Sequence, residues 1–360
     1  MQKDLGRRDA AAIVLASYLW FLLLIVAFDS YPSRVVLSGD NRWYALDSAA
    51  IRGLASPPPL ARHFVGYPLL AAPVAAILHI DDVYALPLVS IPFSLLAIFL
   101  ASELWGAWAA TWFAIINLDW IIQRSLLGGA EPLFAALIFA ALLAARRERW
   151  NMAALFGAVA TVVRSLGIVV LLALGIELIR ARRPRSLLIA ISISVAIGVA
   201  YLWIVGAVFG NPAGNFHWYR QMGLGHDRTF VPFVTIFLSF RDQLITAKNL
   251  AKTLAWMSVT LAAIIAAVRR PEMRAALTRD RVEWLFATIY VASFLLFPAW
   301  WIEGEFPRYL VPVIPMLFVA LRPWLPSDRR ILGTIGILSA TLAAVEDMPW
   351  FSRALSALLP

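Results

Sequence analysis

The 360-residue sequence contains no cysteine and only four histidines, and charged residues make up only 15% of it. The absence of cysteine excludes disulfide bonds, thiolate metal sites and a thiol nucleophile. Soluble domains contain about 25% charged residues. A chain that is 61% apolar has too little polar surface to cover a water-soluble fold. The composition therefore predicts an integral membrane protein.

Positive charge is concentrated in short clusters. One cluster precedes the first apolar run, 10–28, and four more follow later runs; the five lie at 3–8, 146–149, 180–185, 269–281 and 322–330. The positive-inside rule assigns all of them to the cytoplasm, so membrane orientation explains most of the net charge of +9 without nucleic-acid binding. We interpret the first run as a retained signal anchor. The alternative, a cleaved signal peptide, is disfavoured because no small-residue cleavage site follows.

The apolar runs predict an all-α integral membrane protein, a polytopic bundle of about 11 transmembrane helices in a single domain, 1–360. Two long loops, 29–83 and 210–249, fall on the outer side. They are expected to carry juxtamembrane helices, at 40–51 and 68–78 in the first loop and at 230–240 in the second. The predicted spans are 10–28, 84–104, 106–122, 132–145, 152–165, 168–180, 187–209, 250–268, 284–301, 309–322 and 331–346.

The first outer loop contains the segment SGDNRWYALDSAAIRG at 38–53. In a helix that starts at Asp40, the residues Asp40, Tyr44 and Asp47 lie at i, i+4 and i+7 on one face, so two carboxylates and a phenol point the same way. The alternative is that Asp40 only caps the helix and that Asp47 is solvated. Further along, HFVGYPLLAAP contains Tyr67 in a Gly-Tyr-Pro turn, for which a plain turn is the simpler interpretation.

Charged and aromatic residues also gather in the other outer connections. Charges near the bilayer are costly unless they face a polar cavity or one another, so Arg124 either pairs with a nearby acid or lines a cavity. Two histidines nine residues apart in the second long loop match no metal-ligand spacing. The residues of interest are Asp119 and Glu131 in LDWIIQRSLLGGAEPLF, Arg164 in TVVRSLG, Arg220 and Arg228 in the second long loop, and Glu305, Arg308 and Tyr309 in WWIEGEFPRYLVPVIP.

Taken in order, these motifs resemble the GT-C superfamily of polytopic glycosyltransferases, in particular the bacterial mannosyltransferase-like and lipid A aminoarabinose transferase-like branches. The resemblance covers roughly residues 10–325. No single motif is specific, and the order, spacing and shared outer side of the motifs carry the likeness. The motifs are the GD-x-x-W-Y setting of Asp40, the GYP turn, SLLGGAEPLF, TVVRSLG and PRYLVPVIP.

The resemblance implies an enzyme of the bacterial cytoplasmic (inner) membrane. Such an enzyme transfers a sugar, with inversion, from a polyprenyl-phosphate-linked donor to a lipid or glycan acceptor on the extracytoplasmic side, and Asp40 corresponds to the general base. In some members a second acid, here Asp119 or Glu131, helps to hold a metal, so a divalent metal ion is the one cofactor left open. The residues expected to bind the substrates are Tyr44, Asp47, Tyr67, Glu131, Arg164, Arg220, Arg228, Glu305, Arg308 and Tyr309.

The residues agree with this chemistry. A carboxylate takes the proton of a sugar hydroxyl during attack on the anomeric carbon. The leaving lipid phosphate requires fixed cations, here Arg308 with Arg220 or Arg228, and no glycine-rich loop for a nucleotide sugar is present. The alternative from another class is a polytopic transporter or lipid flippase, which more often has inverted repeats and broken helices at the membrane midplane. A non-catalytic scaffold would not require Asp40.

Overall fold

The computed structural model describes residues 5–27, 40–56, 63–116, 121–215, 247–272, 281–296 and 306–346. All regular structure in these ranges is helical. The α-helices are α1 Arg7–Ala27, α2 Asp40–Ile51, α3 Gly66–Leu78, α4 Asp82–Trp105, α5 Ala107–Ile116, α6 Ile122–Leu127, α7 Glu131–Arg146, α8 Trp150–Val163, α9 Ile168–Arg180, α10 Pro184–Phe209, α11 Ala247–Arg269, α12 Arg281–Leu296, α13 Phe306–Leu310, α14 Ile314–Leu321 and α15 Arg329–Glu346.

Four of the described helices are long and apolar enough to cross a membrane: α1, α4, α10 and the Leu250–Arg269 part of α11. They contain 20 to 26 residues, which is the length that a hydrocarbon core of about 30 Å requires. Large apolar side chains on α1 and α10 are exposed, Leu15 and Val199 among them, as expected for surfaces that face lipid. The chain is an integral membrane protein, and the count of eleven spans stays a prediction.

The chain divides into two compact units. The first unit comprises Met1–Ser56, Tyr67–Ala136 and Arg322–Pro360. Its core is formed where α1 packs against α15 and α5, and it includes Phe21, Ile25 and Leu126 together with three alanines of α15. The small side chains let α15 approach α1 closely. Within the same unit, α4 packs against α2, α5 and α6.

The second unit comprises Pro57–Gly66 and Leu137–Leu321. Here α8 packs against α9 and α10, α9 packs against α12, and α11 packs against α13 and α14. Two arginine–glutamate pairs join helix ends. Arg146, the last residue of α7, bonds at 2.7 Å to the buried Glu283 in the first turn of α12, and Arg183, just before α10, bonds at 2.8 Å to Glu148, between α7 and α8. Arginines from two of the clusters identified in the sequence, 146–149 and 180–185, therefore form pairs that connect helix ends.

The prediction of one continuous helix at 309–322 is wrong. The helix α13 ends at Leu310, a turn follows, and α14 begins at Ile314. Pro312 and Pro315 explain the break, because proline has no N–H to donate and its ring clashes with the carbonyl of the preceding turn. The other predicted spans that fall on described residues correspond to helices whose bounds differ by a few residues, with two exceptions. In 106–122, α5 ends at Ile116 and residues 117–120 lie outside the described ranges; in 284–301, α12 is described to Leu296 and residues 297–301 lie outside them.

Candidate functional site

The helix α2 carries the acidic face that the sequence predicted. It runs from Asp40 to Ile51 as expected, and the chain turns at Gly53, where φ is +71°. Asp40 is the first helical residue and is half-buried. Tyr44 and Asp47 are buried on the same face. The face therefore changes from partly accessible at Asp40 to fully enclosed at Asp47.

Asp47 is the most enclosed carboxyl group of this helix. Its exposure is 0%, so the alternative of a solvated Asp47 is wrong. Neither of its oxygens has a hydrogen-bond partner among the described residues. Burial raises the pKa of Asp47 from 3.8 to about 7, because desolvation disfavours the charged form. Asp47 therefore holds a proton well above the pH at which a surface aspartate loses it.

Tyr67, from the Gly-Tyr-Pro segment, lies in the first turn of α3 and packs edge-on against Tyr44, with 5.2 Å between the ring centroids. It is completely buried. Its hydroxyl donates to the carbonyl of Leu86 at 2.7 Å and lies 3.0 Å from the hydroxyl of Ser90. Burial raises the pKa of Tyr67 well above its usual range, the Ser90 hydrogen bond lowers it, and Tyr44 and Glu131 raise it. Tyr67 is therefore a permanent hydrogen-bond donor.

Glu131 is held beside these residues by a two-glycine turn. Gly128 has φ +82° and ends α6, and Gly129 donates to the carbonyl of Arg124 at 2.6 Å. The hydroxyl of Ser90 donates to the carbonyl of Gly129. A Cβ on Gly129 would lie 2.6 Å from the Glu131 carboxylate and 3.0 Å from the Cβ of Arg124, so a larger residue here would displace the Glu131 side chain. Glu131, 1% exposed, also begins α7, where the helix dipole favours a negative charge.

Asp82, which none of the sequence motifs indicated, fixes α2 to the start of α4. Asp82 accepts hydrogen bonds from Ser48 at 2.5 Å and from Arg52 at 3.0 Å. Arg52 also donates to the carbonyl of Ile80 at 3.4 Å. At the other end of α2, Asn41 donates to the carbonyl of Leu127 at 2.7 Å. The i, i+4 spacing of Ser48 and Arg52 is a sequence signal that would have indicated a shared partner.

Two ion pairs mark the opposite end of the first unit. Arg7 bonds to Glu103 at 3.0 Å, and Arg329 lies 3.6 Å from Asp9. Asp82 and Glu103 are 21 residues apart on α4, which is about 30 Å along a helix and matches the hydrocarbon thickness of a bilayer. The acidic helix α2 and the basic residues therefore lie at opposite ends of α4.

The second unit contains the arginines of the later motifs. Arg164 directly follows α8 in an extended conformation, with φ −151° and ψ 133°, and a 3₁₀ turn, Ser165–Gly167, comes next. Its guanidinium lies 5.2 Å from the ring centre of Tyr309, a cation–π geometry. The neighbouring Arg308 is 5% exposed. The structure therefore brings the TVVRSLG and PRYLVPVIP motifs together.

Glycines shape the turn that presents Arg164. A Cβ on Gly167 would overlap the backbone of Thr161, and one on Gly66 would overlap the backbone of Val162. Gly66 thus packs directly against the end of α8, next to Arg164. The interpretation of the Gly-Tyr-Pro segment as a plain turn is wrong, because it begins the helix α3 and supplies this contact.

Four of the predicted site residues lie outside the described residues: Asp119, Arg220, Arg228 and Glu305. The second long loop also lies mostly outside them, including the predicted helix at 230–240. Within the described ranges, no three histidine, aspartate or glutamate side chains form a group that would hold a metal ion.

Comparison with solved structures shows a likeness to the crystal structure of ArnT from Cupriavidus metallidurans in the apo state. The sequence identity is 16%, the match covers 85% of this chain and 54% of that chain, and the TM-score is 0.45. The chain thus spans about half the length of that protein. No family model matches the sequence, and no curated protein matches it.

Proposed function

We propose that the chain is a membrane glycosyltransferase of the GT-C type. It moves a sugar from a polyprenyl-phosphate-linked donor to a lipid or glycan acceptor on the extracytoplasmic side of the cytoplasmic membrane, with inversion. The observation that carries this proposal is the acidic face of α2, on which Asp40 and Asp47 flank Tyr44 at the outer end of α4. The order of the sequence motifs supports the same reaction.

The charge distribution supports the sidedness. Arg7 and Arg329 mark one end of the first unit, and basic residues favour the cytoplasmic face. The helix α2 lies at the other end of α4, next to Asp82. The acidic face is therefore assigned to the outer surface, where polyprenyl-linked sugars meet extracytoplasmic acceptors in the proposed reaction.

In the proposed mechanism, the Asp40 carboxylate takes the proton from an acceptor hydroxyl while that oxygen attacks the anomeric carbon. The bond from the anomeric carbon to the phosphate oxygen breaks, and its electron pair leaves on the polyprenyl phosphate. Asp40 suits this role because it is half-buried and sits at the open end of the acidic face. Attack from the side opposite to the leaving group inverts the anomeric centre.

Tyr44, Asp47, Tyr67 and Glu131 are proposed to bind the sugar and the acceptor. Asp47 in its protonated form is a hydrogen-bond donor in a buried setting. The Tyr67 hydroxyl donates its proton to the carbonyl of Leu86, so its oxygen is available as an acceptor. A site built to hydrogen-bond a substrate hydroxyl strongly rejects analogues that lack it, because its buried polar groups are then left unpaired. These residues would therefore affect the choice of sugar more than they affect the rate of proton transfer.

The phosphate of the donor is assigned to Arg308 and Arg164. A buried arginine offers a rigid fork that matches phosphate oxygens, and Tyr309 orients the Arg164 guanidinium through its ring. Arg220, Arg228 and Glu305 stay proposed contacts on sequence grounds. A divalent metal ion held by Asp119 or Glu131 stays a proposal on sequence grounds.

The test is a transfer assay with the purified full-length protein in liposomes. The donors are a panel of polyprenyl-phosphate monosaccharides, and the acceptor is a total bacterial lipid extract. Mass spectrometry should detect a glycosylated lipid whose mass increases by one sugar residue, with release of polyprenyl phosphate. Movement of the intact donor across the bilayer without any covalent product would instead identify a flippase.

A further inference from the structure

The first unit contains an apolar groove that the proposed reaction does not use. Its volume is about 470 Å³, within the range of small-molecule sites. Small side chains on α1 and α5 create the space, and larger apolar ones on α4 form the wall. The lining residues are Arg7, Ala10, Ala11, Val14, Leu15, Tyr18, Ile91, Leu95, Ile98, Phe99, Ser102, Ala107, Ala110 and Thr111.

The groove is open along a surface that faces lipid. Leu15, Leu95 and Phe99 on its rim are each more than half exposed. Along α1 it extends from Arg7 to Tyr18, a separation of eleven residues, which is about 16 Å of helix. This length equals about half of a hydrocarbon core of roughly 30 Å. The groove therefore matches one acyl chain of one leaflet, whereas a polyprenyl chain that spans the bilayer is longer than the space.

The two ends of the groove differ in polarity. Among the described residues of the lining, Arg7 is the one that carries a charge. Its side chain is 73% exposed although it also bonds to Glu103. At the other end, the ring of Tyr18 closes the groove, and its hydroxyl is bonded to Ser125. A lipid in the groove would place its headgroup at Arg7 and the end of its acyl chain at Tyr18.

We propose that this groove binds one phospholipid with an anionic headgroup from the leaflet that contacts the basic end of α1. The acyl chain lies against Ala10, Ala11 and Val14, and the headgroup phosphate lies at Arg7. Anionic lipids are attracted to basic residues at the membrane surface by about 1 kcal/mol for each charge, which corresponds to about fivefold in affinity. The site is independent of glycosyl transfer.

The test is native mass spectrometry of the delipidated full-length protein with phosphatidylglycerol and with phosphatidylcholine of the same acyl chains. Wild-type protein should retain one phosphatidylglycerol about fivefold more tightly than phosphatidylcholine. The Arg7→Gln variant should lose this preference. The matched control Arg8→Gln, which removes an exposed neighbouring charge outside the lining, should keep it.

Filling the groove tests the acyl-chain site directly. Ala11→Phe and, from the opposite wall, Ala107→Leu should each abolish retention of the bound lipid. Ala12→Phe, at an exposed position on α1 outside the lining, should leave it unchanged. Equal binding of both lipids by the wild type, or undiminished binding by a filled variant with normal thermal stability, would overturn the proposal. Displacement of phosphatidylglycerol by equimolar undecaprenyl phosphate would also overturn it, because the occupant would then be a prenyl chain.

Discussion

At the scale of single residues, Asp47 has the environment that departs furthest from that of a surface carboxylate. In an unfolded chain its pKa is about 3.9, and in the folded protein burial raises the pKa to about 7. Between these values the folded chain keeps a proton that the unfolded chain releases. The free energy of unfolding therefore falls as the pH rises from about 4 to about 7, and it has fallen by its full amount above pH 7.

Asp47→Asn removes this loss because the amide is neutral at every pH. Relative to the wild type, the variant should be more stable at pH 8, by up to about 4 kcal/mol, and the difference should vanish towards pH 4. Thermal unfolding of the purified proteins in detergent at a series of pH values measures it. Parallel pH profiles for the two proteins would show that Asp47 is ionised in the fold.

Arg308 supplies a second prediction at this scale. Arg308→Lys keeps the positive charge but loses the two-pronged hydrogen bonding to phosphate. We expect polyprenyl phosphate to bind about tenfold more weakly, with little change in thermal stability. Arg185→Lys, at an exposed position on α10, is the control. Unchanged affinity in Arg308→Lys would assign Arg308 to the neutralisation of nearby acids.

The identity of the α2 face was predictable, and its burial was not. The spacing of Asp40, Tyr44 and Asp47 required only the helical period, and the structure confirms one helix over Asp40–Ile51. The enclosure of Asp47 depends on packing with elements that follow much later in the chain, including α4. A local pattern contains no information about such contacts, so the sequence alone does not distinguish a buried Asp47 from a solvated one.

At the scale of elements, α2 is held in place by the bonds of Ser48 and Arg52 to Asp82. Asp82 is buried. Removal of the Arg52 guanidinium would therefore take away the positive charge that offsets the cost of burying the Asp82 carboxylate. Arg52→Gln should lower the free energy of unfolding by about 1–3 kcal/mol. Thermal unfolding measures this change.

The matched control for that prediction is Arg329→Gln. Arg329 lies 3.6 Å from Asp9, and both side chains are about half exposed or more. Exposed ion pairs contribute between about 0 and 1 kcal/mol, so this variant should differ little from the wild type. Equal effects of the two substitutions would show that Asp82 does not hold α2 in place.

Most described helices were predictable from the apolar runs and from the charged, proline and glycine residues that separate them, because composition alone distinguishes a span from a polar loop. The break between α13 and α14 shows the limit of that reasoning. Hydropathy is continuous through 309–322, and only the spacing of Pro312 and Pro315 indicates the turn. Gly66 shows a second limit, since its contact with the backbone of Val162 joins segments that are distant in the sequence.

At the scale of the whole molecule, orientation in the membrane is the property that the function requires. The sequence contains no cysteine, so single introduced thiols report without background. Ser56→Cys, at an exposed position after α2, should react with an impermeant thiol reagent in intact cells. Arg185→Cys, at the start of α10, should react only after lysis. The reverse pattern would move the acidic face to the cytoplasmic side.

The proposed reaction is tested most directly by the rate of sugar transfer in the Asp40→Asn variant. The amide keeps the size of the side chain but does not accept the proton. A general base contributes about 10²- to 10⁴-fold. In the liposome assay with a productive donor, we predict that Asp40→Asn lowers the rate of sugar transfer at least a hundredfold and leaves the thermal stability unchanged. The control Asp81→Asn, directly before α4, should keep the wild-type rate. Transfer by Asp40→Asn at the wild-type rate would contradict the account.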